Sequence, residues 1–256
     1  MKVYVVNLAR AADRMAHMRD RLAGVDYERI EAFDGTKDLL PPSALTPNET
    51  ACYMSHMSAW RQLLASSDKA ACVLEDDVVL GDDFGALLAA PLPPHFDLIK
   101  IETCHQTVSM DKAALPMGGR HLHRLRSRHL CTAGYIISRA CAERLLKIAI
   151  TEPLDIEMFN HAAARHLCIY QLVPAVCVQE TQLGAGDVSS IGARTKNRPR
   201  GFGLVVREAE RAWFGLSALI FWPWRERMEI PFAEHGEEAD RITVAAAERA
   251  AKSSTA

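Results

Sequence analysis

The amino-acid sequence predicts an α/β fold, because short apolar segments alternate with segments of helical periodicity over about the first 180 residues. Residues 3–6 form a β-branched run that is typical of a buried parallel strand. Apolar residues at helical spacing then predict a helix over residues 11–23 that ends at Gly24. A second strand over residues 25–33 completes the strand–helix–strand opening of a doubly wound sheet.

The next predicted helix carries its start signal in its own sequence. Thr46 is suited to cap a helix, Pro47 to occupy the first position and Glu49 to complete a capping box. The helix is predicted to run to about residue 66, with His56 on its buried face.

Further strands follow in the same alternation. Each is an apolar run bounded by polar or turn-forming residues. Ser138 is suited to cap a helix that runs to about residue 149. The remaining predicted strands cover residues 70–74, 78–80, 97–101, 135–137, 168–173 and 176–179.

Charge and cysteine content exclude two classes of protein. With 30 Lys and Arg, 32 Asp and Glu and a net charge of −2, the chain lacks the basic excess of a nucleic-acid-binding protein. Its seven cysteines include no CxxC pair, which excludes a zinc ribbon or finger. Their odd number and apolar neighbours predict reduced thiols in a cytoplasmic protein, and the N-terminal apolar run is too short for a signal peptide.

Three adjacent carboxylates, Glu75, Asp76 and Asp77, follow the predicted strand over residues 70–74. Their mutual repulsion favours a bound cation, and Mg²⁺ or Mn²⁺ takes such oxygen ligands together with phosphate oxygens. Strand ends are also where open α/β sheets bind ligands. Because side chains alternate along an extended chain, Glu75 and Asp77 are predicted to bind the metal and Asp76 to support them. The alternative is a solvated acidic turn without a ligand.

Six short segments occur in a distinctive order over about the first 190 residues. They are VVNLAR at residues 5–10 with Asp13 and Arg14, AFDG at 32–35, ETACYMSH at 49–56 with Trp60, VLEDDV at 73–78, GYIIS at 134–138 and PLD at 153–155. In these segments the chain resembles glycosyltransferase family 25, the bacterial lipooligosaccharide enzymes related to collagen galactosyltransferases. The resemblance implies a GT-A-like fold, with a Rossmann-like mixed sheet flanked by helices, and a UDP-sugar donor. It also implies inversion at the sugar carbon and an Asp-x-Asp-like metal motif, in which Glu75 replaces the usual first Asp.

Residues that follow the first two strands are predicted to contact the donor. Asn7, Arg10 and Arg14 lie where a loop faces the mouth of the sheet, which suits uridine or phosphate contact; a solvated charged loop is the alternative. The resemblance places Asp34 and Gly35 near the nucleotide, while their pattern by itself indicates a turn.

His56 is predicted to be a buried polar residue near the donor, or alternatively a hydrogen-bonded core histidine. It is not expected to form a catalytic dyad with Ser55, because adjacent helical residues do not face each other.

Inverting transfer needs a carboxylate that accepts the proton of the acceptor hydroxyl. Asp155 and Glu157 both lie at the start of a predicted helix, where the helix dipole favours an ionised carboxylate. Asp155 is the predicted catalytic base because it matches the Pro-x-Asp of the family. Its alternative role is a helix cap.

Two further segments carry arginines. Residues 118–130 contain four arginines and no acidic residue. They are predicted to form a loop that contacts a phosphorylated or acidic acceptor. The alternative is an exposed basic loop without a role. Residues 213–224, from Trp213 to Trp224, are uncharged, flanked by arginines and too short to span a bilayer. They are predicted either to contact a membrane interface or to dock on the catalytic domain.

The predicted organisation has three parts: a GT-A-like catalytic domain over residues 1–190, a loop with the Arg-aromatic segment over 191–232, and a polar, Ala-rich, partly disordered tail over 233–256. The predicted function is metal-dependent transfer of a hexose, expected to be galactose, from a UDP-sugar to a saccharide acceptor of lipooligosaccharide, lipopolysaccharide or a related glycan. The acceptor is expected to be lipid-linked, and the protein to be cytoplasmic with peripheral contact on the inner face of the membrane. The alternatives are a nucleotidyltransferase and a non-catalytic nucleotide-sugar- or glycan-binding protein.

Overall fold

The structure is a computed structural model and describes residues 1–159, 167–184 and 225–233. Within these ranges, nine strands form one mixed sheet and three form a second, smaller sheet. The strands are β1 (Lys2–Asn7), β2 (Tyr27–Glu31), β3 (Ala70–Glu75), β4 (Val78–Leu80), β5 (Leu98–Lys100), β6 (Glu102–Thr103), β7 (Thr107–Met117), β8 (Arg120–Leu125), β9 (Gly134–Ser138), β10 (Ile169–Val173), β11 (Cys177–Gln179) and β12 (Arg225–Glu229). The helices are α1 (Ala12–Arg21), α2 (Pro47–Ala65), α3 (Phe84–Ala89), α4 (Arg139–Leu145) and α5 (Leu154–Phe159).

The large sheet has the order β12-β7-β8-β10-β5-β9-β3-β1-β2. β1 pairs in parallel with β2 and β3, as the β-branched N-terminal run predicted. β9 runs antiparallel between β3 and β5, so the carboxyl ends of β1, β2, β3 and β5 meet at one edge of the sheet. The predicted α/β class, with a Rossmann-like mixed sheet flanked by helices, is therefore confirmed.

The central strands β1, β3 and β9 of this sheet are buried on both faces, which explains why they are apolar along most of their length. In β1, Tyr4 and Val6 belong to the apolar cluster that includes α2 and α4. Val3 and Val5 belong to the opposite cluster, which includes α1 and α3. The alternating side chains of one short strand thus join two helical layers to the sheet.

Local capping signals in the sequence correspond to real caps. The Thr46 Oγ1 atom accepts a 3.3 Å hydrogen bond from the Glu49 backbone N–H, and Glu49 Oε2 accepts a 3.0 Å bond from that of Thr46. The predicted capping box of α2 is confirmed. Ser138 likewise caps α4 by accepting from the Cys141 backbone N–H at 3.2 Å, although α4 ends at Leu145 rather than near residue 149.

The prediction of a loop over residues 118–130 is wrong for Arg120–Leu125. These residues form β8, which pairs with β7 and β10. Arg120 is 1% exposed and donates to both carboxylate oxygens of Asp83 and to the carbonyls of Pro174 and Ala175. Arg126 pairs with Asp111 at 2.6 Å. These side chains serve the fold and are not an exposed basic patch for an acceptor.

Residues 225–233 belong to the folded unit, although the sequence analysis placed them in the Arg-aromatic segment and the tail. β12 pairs with β7 along its whole length, and the buried Ile230 accepts a 2.6 Å hydrogen bond from the Thr103 hydroxyl. Three predicted features lie outside the described residues: the domain boundary at residue 190, the Arg-aromatic run over residues 213–224, and the tail beyond residue 233. In the part that is described, no helix is long and apolar enough to cross a membrane.

Candidate active site

A cavity opens at the edge of the large sheet where β1, β2 and β3 end, against the first half of α2. Eight of the ten residues predicted to form the site line this cavity. They are Arg10, Arg14, Asp34, Gly35, His56, Glu75, Asp76 and Asp77. The other two, Asn7 and Asp155, do not line it.

The three carboxylates at the end of β3 differ in their surroundings. Asp76 is 8% exposed and accepts hydrogen bonds from Asn7 Nδ2 at 2.7 Å and from Arg14 Nη1 at 3.0 Å. Glu75 Oε1 accepts a 3.1 Å bond from the Thr132 hydroxyl. Burial, together with the charges of Glu75 and Asp76, raises the pKa of Asp77 to about 7. Protein groups therefore hold Asp76, while the charge of Asp77 is poorly compensated.

Asn7 sits behind Asp76 rather than in the cavity. Its side-chain amide donates to Asp76 and to the Ala11 carbonyl at 3.0 Å, and its carbonyl oxygen accepts from Arg29 Nε at 2.7 Å. Since both ends of the amide have partners inside the protein, Asn7 is placed to orient Asp76 rather than to contact a donor molecule.

One wall of the cavity is the turn at Asp34 and Gly35. Asp34 pairs with Arg10 and accepts from the Thr36 backbone N–H at 3.0 Å and its hydroxyl at 2.7 Å, so the turn predicted from this sequence is present. A Cβ atom on Gly35 would lie 2.3 Å from Asn48 Oδ1 and 2.8 Å from Asn48 Cα. Only glycine allows the turn to approach the start of α2 this closely.

His56 is 1% exposed, in accord with its predicted burial. Its Nδ1 atom lies 2.9 Å from the Tyr135 hydroxyl, which also accepts a 2.8 Å hydrogen bond from Trp60 Nε1. Its Nε2 atom lies 3.5 Å from Glu75 Oε1. The Ser55 hydroxyl instead donates to the Ala51 carbonyl at 2.6 Å, so it forms no dyad with His56.

The sequence matches the family model described as glycosyltransferase family 25 (LPS biosynthesis protein) over residues 1–159. The chain belongs to glycosyltransferase family 25. It is 32% identical, over 70% of its own length and 74% of the relative's, to the lacto-N-neotetraose biosynthesis glycosyltransferase LgtE of Neisseria gonorrhoeae. It is 29% identical to the lipooligosaccharide biosynthesis protein lic2B of Haemophilus influenzae, over 72% and 78% of the two chains. Among solved structures it is similar to a glycosyltransferase involved in the glycosylation of the major capsid of PBCV-1, with 9% identity, a TM-score of 0.42 and coverage of 70% and 92%.

In this family 25 glycosyltransferase, Asp155 lies in the first turn of α5. Its side chain is 6% exposed and accepts from the backbone N–H groups of Ile156 at 2.9 Å and Cys131 at 3.3 Å. Cys131 is the neighbour of Thr132, which contacts Glu75. The adjacent residues Cys131 and Thr132, which precede β9, thus contact the predicted base Asp155 and the predicted metal ligand Glu75, respectively.

Beside Asp155, the enzyme buries an ion pair that the sequence analysis missed. Lys100 and Glu102 are both 0% exposed, and Lys100 Nζ donates a 2.8 Å hydrogen bond to Glu102 Oε1. The same ammonium donates to the Cys131 carbonyl and lies 4.2 Å from the centroid of the Phe159 ring. Two charged residues at alternate positions of an apolar segment share one face, and that spacing is the signal that could have revealed them.

Proposed function

We propose that this glycosyltransferase moves a hexose, galactose in particular, from a UDP-sugar to a saccharide acceptor of lipooligosaccharide or a related glycan, with inversion at the sugar carbon. The observation that carries the proposal is the convergence of two arginines, three carboxylates and a tight turn in one cavity at the carboxyl edge of the sheet. The names of the Neisseria and Haemophilus relatives support the class of acceptor.

The charges of the cavity suit a diphosphate bound together with a divalent cation. Arg10 and Arg14 line the cavity with guanidinium groups, which bind phosphate oxygens. Burial and the like charges of Glu75 and Asp76 raise the pKa of Asp77 to about 7, which supports a bound cation beside that carboxylate. Glu75 and Asp77 would hold Mn²⁺ or Mg²⁺, since both ions prefer carboxylate ligands. When bound, the ion neutralises charge that develops on the leaving diphosphate.

Other residues of the chain position the metal ligands and accept the proton of the acceptor. Asn7 and Arg14 hold Asp76 and so fix the strand end from which Glu75 and Asp77 project. Asp155 accepts the proton of the acceptor hydroxyl as that oxygen attacks the sugar carbon. Two backbone N–H groups orient its carboxylate for this role.

The deciding experiment measures the small product released by the full-length chain. With Mn²⁺, a panel of UDP-hexoses and lipooligosaccharide-type acceptors, we expect acceptor-dependent release of UDP, greatest with UDP-galactose. Release of pyrophosphate would support a nucleotidyltransferase instead. Binding of UDP without turnover on any acceptor would support a non-catalytic nucleotide-sugar-binding protein.

The metal ligands are tested separately by calorimetry. Asp77→Ala is expected to abolish the Mn²⁺-dependent part of UDP binding, whereas Asp20→Ala, which removes an exposed carboxylate on α1, is expected to leave it in place. Unchanged Mn²⁺–UDP affinity in Asp77→Ala would exclude Asp77 as a ligand.

We also propose that the enzyme is cytoplasmic and works against the inner face of the membrane, where a lipid-linked acceptor would be presented. The uncharged aromatic run from Trp213 to Trp224 and the arginines beside it support this location.

A further inference from the structure

A second set of metal-binding atoms lies on the α2 side of the cavity. The Cys52 Sγ, a ring nitrogen of His56 and a Glu75 carboxylate oxygen all lie within 4.8 Å of one another. Cys52 and His56 are one helical turn apart on α2, so their side chains leave the helix on the same face. Glu75 approaches them from the end of β3.

The His56 Nε2 atom is an independent sign of a missing partner. It is buried and has no hydrogen-bond partner among the residues that the structure describes. Buried side-chain nitrogens nearly always have such a partner. The other ring nitrogen lies 2.9 Å from the Tyr135 hydroxyl, which is the kind of second contact that fixes the ring of a metal-binding histidine.

We propose that Cys52, His56 and Glu75 form a binding site for Zn²⁺. Thiolate, imidazole and carboxylate together are a ligand set that zinc accepts, whereas Mg²⁺ and Mn²⁺ favour oxygen ligands. In a tetrahedral zinc site a nitrogen and an oxygen ligand are about 3.4 Å apart. The 3.5 Å between His56 Nε2 and Glu75 Oε1 already matches that separation.

Zinc binding at this site follows ordinary coordination chemistry. The Cys52 thiol releases its proton to solvent and binds as a thiolate, and His56 binds through Nε2 while Nδ1 carries the ring proton toward the Tyr135 hydroxyl. The three protein ligands leave the fourth tetrahedral position to water or to a phosphate oxygen from the cavity.

The proposed zinc site shares Glu75 with the Mn²⁺ or Mg²⁺ site described under the proposed function. Because Glu75 is a ligand in both proposed sites, Zn²⁺ is expected to compete with the activating ion and inhibit transfer. This inhibitory consequence rests on the proposed function, whereas zinc binding itself rests only on the geometry of the three side chains.

Co²⁺ is the spectroscopic probe for this site, since it takes zinc-like tetrahedral geometry. Titration of the metal-stripped, full-length protein with Co²⁺ is expected to produce a thiolate-to-cobalt absorption band that Zn²⁺ removes. The band should disappear in Cys52→Ser and persist in the matched control Cys168→Ser, whose cysteine is partly exposed and lies outside the cavity. No band in the wild-type protein, or a band that survives in Cys52→Ser, would overturn the proposal.

A second measurement needs no variant and so does not depend on the folding of Cys52→Ser. X-ray absorption of the zinc-loaded wild-type protein is expected to show one sulfur ligand at about 2.3 Å with nitrogen or oxygen ligands near 2.0 Å. A shell of oxygen and nitrogen ligands without sulfur would overturn the site. Acceptor-dependent UDP release without a Co²⁺–thiolate band would retain the proposed function and reject zinc. A Co²⁺–thiolate band without any UDP release would retain the zinc site and reject the proposed function.

Discussion

Asn7 and Asp76 lie 69 residues apart in the sequence, yet Asn7 Nδ2 donates a 2.7 Å hydrogen bond to Asp76 Oδ2. The bond joins the carboxyl ends of the parallel strands β1 and β3. Arg14 adds a second donor to the same carboxylate at 3.0 Å. Asp76 is thereby fixed inside the protein, while its two acidic neighbours remain for chemistry in the cavity.

We expect Asn7→Ala to lower the free energy of unfolding by about 1–3 kcal/mol, because it removes a donor from a buried carboxylate. It should also weaken Mn²⁺-dependent UDP binding, since the strand end is no longer held. Urea denaturation and calorimetry measure the two effects. The control is Lys2→Ala on the same strand, which removes an ion pair to the exposed Asp26 and should change little. An unchanged denaturation midpoint in Asn7→Ala would show that Arg14 alone suffices.

Asp77 should make the metal-free protein less stable as the pH rises. Its pKa is about 7 in the folded protein, against a usual value of 3.8, so between these values the folded state holds a proton that the unfolded state has lost. Asp77→Asn removes this effect, and its stability advantage over the wild type should grow from pH 4.5 to pH 8. Urea denaturation in a chelating buffer measures it, with Asp20→Asn as the control for net charge. An advantage that is equal at both pH values would contradict the raised pKa.

Asp155→Asn should lower kcat by ~10²–10⁴-fold while donor affinity stays nearly constant. The amide keeps the size of the side chain and still accepts one backbone hydrogen bond, but it does not take a proton at neutral pH. Steady-state UDP release and calorimetry with UDP separate the two quantities. Near-normal turnover would move the base elsewhere, and Glu157→Gln would then be the next variant to measure.

The ion pair of Lys100 and Glu102 predicts a non-additive effect on stability. Lys100→Met leaves the Glu102 carboxylate buried without its partner, which typically costs about 3–5 kcal/mol. The double variant Lys100→Met with Glu102→Leu should recover much of that loss, because no charge is left unpaired. Chemical denaturation of both variants tests this coupling. A single variant as stable as the double variant would show that Glu102 does not depend on Lys100.

Local signals in the sequence predicted much of the fold that builds the cavity. The strand–helix–strand opening, the capping box at Thr46 and Glu49 and the cap at Ser138 depend on residues within a few positions of one another. The carboxylates that line the cavity were predicted for the same reason, since a strand end followed by Glu75 to Asp77 is a local pattern. The family resemblance supplied the order in which such patterns should occur.

The features that the sequence analysis missed depend on partners far along the chain. The arginine-rich stretch that begins at Arg120 looked like a loop because its carboxylate partner, Asp83, and its carbonyl partners at Pro174 and Ala175 lie on distant elements. β12 was missed because its pairing with β7 is set by residues more than 100 positions away. No spacing rule within a short window contains that information.

The run from Trp213 to Trp224 predicts reversible, salt-sensitive binding to anionic bilayers. Aromatic rings would enter the interface, while Arg211, Arg225 and Arg227 meet lipid phosphates and contribute about 1 kcal/mol each at low salt. Truncation before this run is a poor test, because it would also remove β12 and the buried Ile230. Replacing Trp213, Trp222 and Trp224 by Ser leaves β12 in place.

Liposome sedimentation at low and high salt measures this binding directly. The full-length chain should pellet with anionic vesicles at low salt and be released by added salt, because salt screens the arginine–phosphate attraction. The triple Trp→Ser variant should stay in solution, whereas Leu39→Ser, at an exposed apolar residue elsewhere, should pellet like the wild type. A triple variant that unfolds or aggregates would identify the run as a docked part of the catalytic domain. If the wild-type chain fails to pellet at low salt, the membrane contact is rejected.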